Sequence, residues 1–69
     1  MRTILASNDP VRLTFLTALL AEAGIGSVVL DTHASVLEGS ALAIQQRLAV
    51  AVDDEAQARR ILREAGELE

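Results

Sequence analysis

The spacing of apolar residues changes several times along the chain, and each change predicts a new element of secondary structure. An apolar run at residues 3–7 predicts a short strand. Residues 11–23 then carry apolar positions at helical spacing. The preceding Asn8 or Asp9, followed by Pro10, is typical of a helix start. The predicted buried face of this helix contains Phe15, Leu16, Leu19, Leu20 and Ala23.

Two further strands are predicted at residues 27–31 and 47–52. The first, SVVLD, is apolar and rich in β-branched residues. In the second, bulky residues alternate with alanine, so one face is bulky and the other is small. Leu48, Val50 and Val52 are therefore predicted to be buried beneath helices.

A second helix is predicted after the last strand. Asp53 and Asp54 are expected to cap its N-terminus, where acidic side chains are favourable. Glycines are expected to end both helices, at Gly24 and Gly66. The predicted buried stripe of the second helix contains Ala58, Ile61, Leu62 and Ala65. Glu55 and Arg59 are spaced to form an ion pair on its outer side.

The resulting order β-α-β-β-α belongs to the α+β class, and one arrangement buries both helix faces. The third strand lies at the centre of a three-stranded antiparallel sheet, and both helices pack on one side. This is a ferredoxin-like half sandwich without its last strand; a parallel sheet with another strand order is the alternative. The second sheet face, with Ala49 and Ala51, is then a flat aliphatic patch. A second copy of the chain, or the loop at 32–46, would cover it.

The composition supports one small globular domain. The chain has 69 residues, of which 51% are hydrophobic and 23% are charged, and residues 1–67 are assigned to a single domain. Leu68 and Glu69 resemble the remnant of an affinity tag. A core of this size usually needs support. The chain has no cysteine and only one histidine, so a homo-oligomer is the support left open.

The charge and the targeting signals argue against several classes of partner. The net charge is −4, lysine is absent and Phe15 is the only aromatic residue, so no nucleic-acid partner is expected. No apolar run is long enough to span a bilayer, and no signal peptide is visible. We therefore expect a cytoplasmic protein without a membrane partner.

The sequence contains no strong catalytic or metal-binding signature. Ser35 and His33, with a nearby carboxylate, could form a hydrolase triad. Asp31, His33 and Glu38 could supply three metal ligands. Such combinations arise readily in any polar loop, and glycine-rich phosphate-binding motifs are absent. We therefore expect no enzymatic activity, no metal site and no cofactor.

Arg12 and the connection at residues 32–46 are better candidates for a functional site than these hydrolase and metal-binding combinations. The connection is long for a compact domain and carries apolar side chains, so it is expected to meet a partner or fold onto the core. Arg12 falls within the apolar helix face. Its stem should pack there while its head reaches solvent, or its head binds a carboxylate or a ligand anion. We expect the guanidinium at the end of the sheet, near the carboxylate of Asp31 or Glu38. The candidate ligand or partner contacts are Arg12, Asp31, His33, Ser35, Glu38, Gly39, Ser40 and Arg47.

Several segments carry a family resemblance: NDPV, LLAEAGI, VLD, SVLEGS and QRLAVAVDDEAQARRIL. They resemble a small bacterial family described as "putative prokaryotic signal-transducing protein", and SVLEGS at residues 35–40 is the most specific part. Many members have a proline and paired basic residues before the third strand, where this chain has Gln45, Gln46 and Arg47. The family is similar in fold to the nitrogen-regulatory PII proteins, whose long loop between strands two and three contacts partners. The resemblance implies the same role for residues 32–46.

We therefore predict a non-enzymatic regulatory or signal-transducing module that contacts a protein partner through residues 32–46. A sensor of a small anion or nucleotide, with Arg12 and Arg47 as the charged groups, is the alternative. A hydrolase that uses Ser35 and His33 is a more distant third hypothesis.

Overall fold

The fold comes from a computed structural model that describes residues 1–31 and 45–68, with only the backbone described at Asp31. The elements follow the predicted β-α-β-β-α order. They are β1 (Arg2–Ser7), α1 (Pro10–Glu22), β2 (Ser27–Asp31), β3 (Gln46–Val50), a 3₁₀ turn (Val52–Asp54) and α2 (Glu55–Glu64).

β3 is the central strand of the sheet. It lies between β1 and β2 and is antiparallel to both. The predicted α+β class, antiparallel sheet and central third strand are therefore confirmed. β1 is irregular, because its register with β3 shifts between Thr3 and Leu5. Both helices share one core cluster with β3, so they lie on the same face of the sheet.

The core lies between the sheet and the two helices. Leu48 and Val50 of β3 are fully buried, as predicted, whereas Val52 is 55% exposed and its predicted burial is wrong. The reason is a turn: the Asp54 N–H donates to the Ala51 carbonyl at 2.9 Å, so the strand has ended before Val52. The buried core cluster comprises Ile4, Leu13, Leu16, Leu20, Ile25, Leu48, Val50, Ala58 and Leu62.

α1 begins and ends as its flanking residues predict. The Asp9 carboxylate accepts hydrogen bonds from two backbone N–H groups of the first turn, and Pro10 occupies the first helical position. At the other end, Gly24 adopts a φ of +82°. The Ile25 N–H then donates to the Leu20 carbonyl at 3.0 Å, and both side chains are buried. This is the Schellman arrangement, which ends a helix and returns the chain to the core.

The buried face of α1 is rotated relative to the predicted face. Leu16 and Leu20 are fully buried as predicted, but Leu13 completes the face. Phe15, which was predicted to be buried, is 53% exposed. Apolar residues surround much of α1, including the exposed Val11. Periodicity alone therefore does not determine which side of this helix meets the sheet. Of the other residues predicted on this face, Leu19 is half-buried and Ala23 is exposed.

α2 has a narrower apolar stripe. Ala58 and Leu62 are fully buried as predicted, Ile61 is half-buried, and Ala65 is exposed, contrary to the prediction. The predicted capping by aspartate does not occur through a side chain: Asp54 makes no capping hydrogen bond. The 3₁₀ turn leads directly into the helix instead.

Charged side chains of α2 attach this helix to β1. Glu55 lies 3.1 Å from Arg59 and 3.5 Å from Arg2, measured between carboxylate oxygen and guanidinium nitrogen. Arg59 also donates to the backbone carbonyl of Thr3 at 3.3 Å. The predicted Glu55–Arg59 pair therefore forms, but it faces β1 and not solvent.

Candidate interaction surface

β2 is an edge strand with three consecutive exposed apolar residues. Val28, Val29 and Leu30 are 39%, 38% and 40% exposed. Successive residues of a strand point to opposite faces, so apolar surface is exposed on both sides of the sheet at this edge. We call Val28, Val29 and Leu30 the β2 patch.

A groove of about 280 Å³ lies between α1 and the sheet, on the helix side of the β2 patch. The described residues that line it are Pro10, Leu13, Thr14, Thr17, Val29 and Gln46. No side chain in this lining is ionisable. The hydroxyls of Thr14 and Thr17 already donate to backbone carbonyls of α1 at 2.9 Å. The groove therefore suits an aliphatic or amide side chain better than a small anion.

The face of the sheet opposite the helices, here called the outer face, is also largely apolar. Directly opposite residues of antiparallel strands share a face. One row across the outer face consists of Thr3, Ala49 and Val28, and the next consists of Ala6, Arg47 and Leu30. The predicted aliphatic patch is present only in part: Ala49 is buried, at 1% exposure, and Ala51 lies beyond the end of β3, whereas Val28 and Leu30 are exposed.

Arg12 binds the C-terminal segment of the chain. Its Nε donates to Oε1 of Glu67 at 3.2 Å, and its Nη2 donates to the Glu67 backbone carbonyl at 3.0 Å. Glu67 is placed there by the end of α2, where Gly66 adopts a φ of +79° and the Glu67 N–H donates to the Leu62 carbonyl. Arg12 therefore joins the first turn of α1 to the residue that follows α2.

The carboxylate that Arg12 contacts in the described structure belongs to Glu67, which the sequence analysis did not name. The side chains of Asp31 and Glu38 lie outside the described residues, so the contact predicted with them stays a prediction; among the described residues, Glu67 pairs with the guanidinium. Leu68, which resembles part of a tag remnant, packs partly buried against the core. The sequence signal that could have placed Glu67 and Leu68 against the fold is Gly66, because a glycine that ends a helix turns the next residues back towards the fold.

The two arginines proposed for an anion site are not brought together. Arg47 is exposed on the outer face, since it alternates with the buried Leu48. Arg12 lies in the helix layer on the other side of the sheet and is already paired. Neither arginine lines the groove.

The connection between β2 and β3 is located by its two ends. Five predicted contact residues lie outside the described part of the chain: His33, Ser35, Glu38, Gly39 and Ser40. Asp31 and Gln46 are opposite each other in the β2–β3 register. Gln46 also lines the groove. Asp31 and Gln46, which flank the connection in sequence, therefore both lie at the end of the sheet where the groove lies.

Among the described residues, no buried polar side chain lacks a hydrogen-bond partner that a ligand could supply. Ser7 is the buried polar residue of residues 1–31 and 45–68, and its hydroxyl accepts the Asp9 N–H at 3.1 Å. The same residues include no acidic or histidine cluster that could hold a metal ion. No helix among them is long and apolar enough to cross a membrane.

Comparison with known families shows the family to which the chain belongs. The DUF2007 family model, described as "Putative prokaryotic signal transducing protein", matches residues 1–66. The chain belongs to this family. The match spans every element of the DUF2007 fold described above, including both walls of the groove, and ends one residue before Glu67. No curated protein and no solved structure matches the chain.

Proposed function

We propose that this DUF2007 protein is a non-enzymatic signalling module that binds a protein partner through residues 32–46 and the adjoining groove. The observation that carries the proposal is the position of Asp31 and Gln46, which are paired at the groove end of the sheet. A segment held at both ends beside an apolar groove can present its side chains to a partner together with that groove. The family description, which concerns signal transduction, is consistent with this role.

The chemistry of the described surface favours a protein partner over a small charged ligand. The groove lining is apolar or neutral, and its threonine hydroxyls are engaged by the helix backbone. Arg12 is paired with Glu67, so its charge is already partly satisfied. Half-exposed aliphatic side chains on a hydrogen-bonded strand, as in the β2 patch, are suited to contact with another protein. We expect this module to act in the cytoplasm and without a cofactor.

Affinity capture with matched variants tests this function. Thr14→Arg places a bulky cation in the groove at an exposed position of α1, and Leu37→Asp changes the connection. Ala18→Arg is the matched control, because it adds the same side chain to an exposed position of α1 outside the groove lining. We expect the wild type and Ala18→Arg to bind a common set of proteins, and the other two variants to lose that set.

Circular dichroism of each variant separates lost binding from lost folding. Partners that both Thr14→Arg and Leu37→Asp retain would contradict the proposal. Two further assays address the other hypotheses. Saturable chemical-shift changes near Arg47 with a nucleotide would favour the sensor, and hydrolysis that Ser35→Ala abolishes would favour an enzyme.

A further inference from the structure

The outer edge of β1 is closed by its own irregularity and by charged side chains. The register shift between Thr3 and Leu5 disrupts the ladder that another strand would need to continue. Arg59 donates to the Thr3 carbonyl, which occupies an acceptor of this strand. Arg2 and Glu55 add charge beside it. Bulges and charged side chains are the means by which proteins prevent pairing at a sheet edge.

In the described part of the chain, the outer edge of β2 has no register shift and no charged residue from Ser27 to Leu30. β2 is paired residue by residue with β3 and has no register shift. Its sequence is uncharged from Ser27 to Leu30, and within the described part of the chain β3 is the strand that pairs with it. A regular edge strand that is apolar in its middle and carries a charged residue only at its last position, Asp31, is a template for another strand.

We propose that a second copy of this chain binds at β2, by antiparallel pairing of the two β2 strands about a two-fold axis at Val29. The result is a six-stranded sheet with all four helices on one face. The pairing itself does not depend on the proposed function, because it uses the backbone edge of β2 and not residues 32–46.

The sequence of β2 is complementary to itself in this register. Val29 lies opposite its own copy, and Val28 lies opposite Leu30 of the second copy. Asp31, the single ionisable residue of the strand, falls opposite Ser27 and not opposite another carboxylate. Moving the axis by one residue would place Val29 opposite Ser27 or Asp31, so the axis at Val29 gives the largest number of apolar cross-strand pairs.

The same register makes both faces continuous. On the outer face, the row of Thr3, Ala49 and Val28 continues with Leu30, Arg47 and Ala6 of the second copy. The two Arg47 side chains fall in different rows, so they are not placed opposite each other. On the helix face, Val29 lines the groove of each copy, so the two grooves join across the axis. If the proposed function holds, the second copy thus contributes to the partner site.

The closed β1 edge limits the assembly to two chains. An interface in which the same strand of each copy pairs about a two-fold axis uses up that edge in both copies. The remaining edges of the six-stranded sheet are the two β1 strands, whose irregularity and charges oppose further addition. The expected species is a dimer of twice the 7.3 kDa chain mass and not a longer assembly.

Sedimentation equilibrium of the full chain, from about 1 μM to about 1 mM, tests this pairing. We expect a monomer–dimer equilibrium for the wild type. Val28→Lys/Leu30→Lys places like charges opposite each other in this register and should raise the dissociation constant at least about tenfold. Thr3→Lys/Ala6→Lys, with the same charges on the outer face of β1, should leave it unchanged. A wild type that stays monomeric, a dimer that the β2 variant retains, or equal weakening by the β1 control overturns the proposal.

A cysteine cross-link covers the case in which the lysine variant fails to fold. The chain has no cysteine, so Val29→Cys introduces a single thiol beside the proposed axis. Directly opposite cross-strand residues are close enough for a disulfide to form. We expect mild oxidation to give a covalent dimer of Val29→Cys and little dimer of Thr3→Cys. Equal cross-linking of the two variants, or none, overturns the proposal.

Discussion

The two edge strands of this sheet pair with the same central strand, yet they differ in what surrounds them. β1 has a register shift, and Arg2, Glu55 and Arg59 form a charged network along it. β2 is regular, and its apolar residues remain partly exposed. The difference shows that one side of this small fold is completed by its own side chains, while in the described part of the chain the other side leaves apolar surface partly exposed.

The difference originates in the helices above the two strands. α2 carries charges on most of its polar side, and Glu55 and Arg59 point at β1. α1 carries only Arg12 and Glu22 as charged residues, one near each end, so no ionic side chain of this helix is available above the middle of β2. The residues of each helix therefore determine how well the strand beneath it is closed.

The largest expected effect comes from a substitution in β3, the central strand with which both edge strands pair. Val50 is fully buried at the end of the central strand β3, and a core of this size supplies only a few kcal/mol of net stability. Val50→Asp buries an unpaired charge, which costs several kcal/mol, and should unfold the chain. Far-UV circular dichroism and a urea titration would show this. A soluble variant with a cooperative urea transition would contradict the core assignment.

Arg12 connects the α1 side of the molecule with the end of α2. Arg12→Met keeps the stem and removes both hydrogen bonds to Glu67, so the free energy of unfolding should fall by about 1–2 kcal/mol. Glu67→Gln keeps the bond to the backbone carbonyl and should cost less. Denaturant titrations at low and high salt measure both, and the loss should shrink as salt rises. Equal stability of Arg12→Met and wild type would show that Arg12 acts through packing alone.

Removal of a single carboxylate, that of Glu55, should destabilise the outer edge of β1. Glu55→Ala removes the partner of Arg2 and Arg59 together, and these pairs are partly exposed, so we expect a loss of about 0.5–1 kcal/mol. Hydrogen exchange should accelerate in β1 and not in β2. Glu64→Ala, at an exposed position of the same helix, is the control and should change neither. Equal acceleration in both edge strands would argue against a local role of the network.

The smallest effect is expected on the exposed side of α1. Phe15→Ala should change the free energy of unfolding by no more than about 1 kcal/mol, because more than half of the side chain is already in water. Leu16→Ala, one position further along, should cost about 2–5 kcal/mol because Leu16 is fully buried. Thermal or urea unfolding of the two variants gives this comparison directly. A larger loss for Phe15→Ala would restore the helix face that periodicity predicted.

Local signals predicted most of the fold. Asp9, Pro10 and Gly24 act within a few residues of their own positions, so the bounds of α1 follow from the sequence. The central place of β3 follows from the need to bury both helices on one face. The sequence did not determine which side of α1 faces the sheet, because apolar residues such as Phe15 occur on several sides of this helix.

The candidate surface was harder to predict because it depends on contacts between distant segments. The pairing of Arg12 with Glu67 joins residues 55 positions apart, and sequence spacing gives no measure of such a distance. The exposure of the β2 patch depends on where α1 crosses the sheet. The interest in residues 32–46 came from loop length and family resemblance; the structure adds the position of its two ends, at Asp31 and Gln46.

The central claim is that β2 pairs, along its outer edge, with β2 of a second copy of the chain. The most direct measurement is an isotope-filtered NOE experiment on an equal mixture of labelled and unlabelled chains at high concentration. We predict intermolecular NOEs between the methyl groups of Val28 and those of Leu30, and between the two Val29 side chains. Intermolecular NOEs at β1, or none at β2 while the protein sediments as a dimer, would contradict the account.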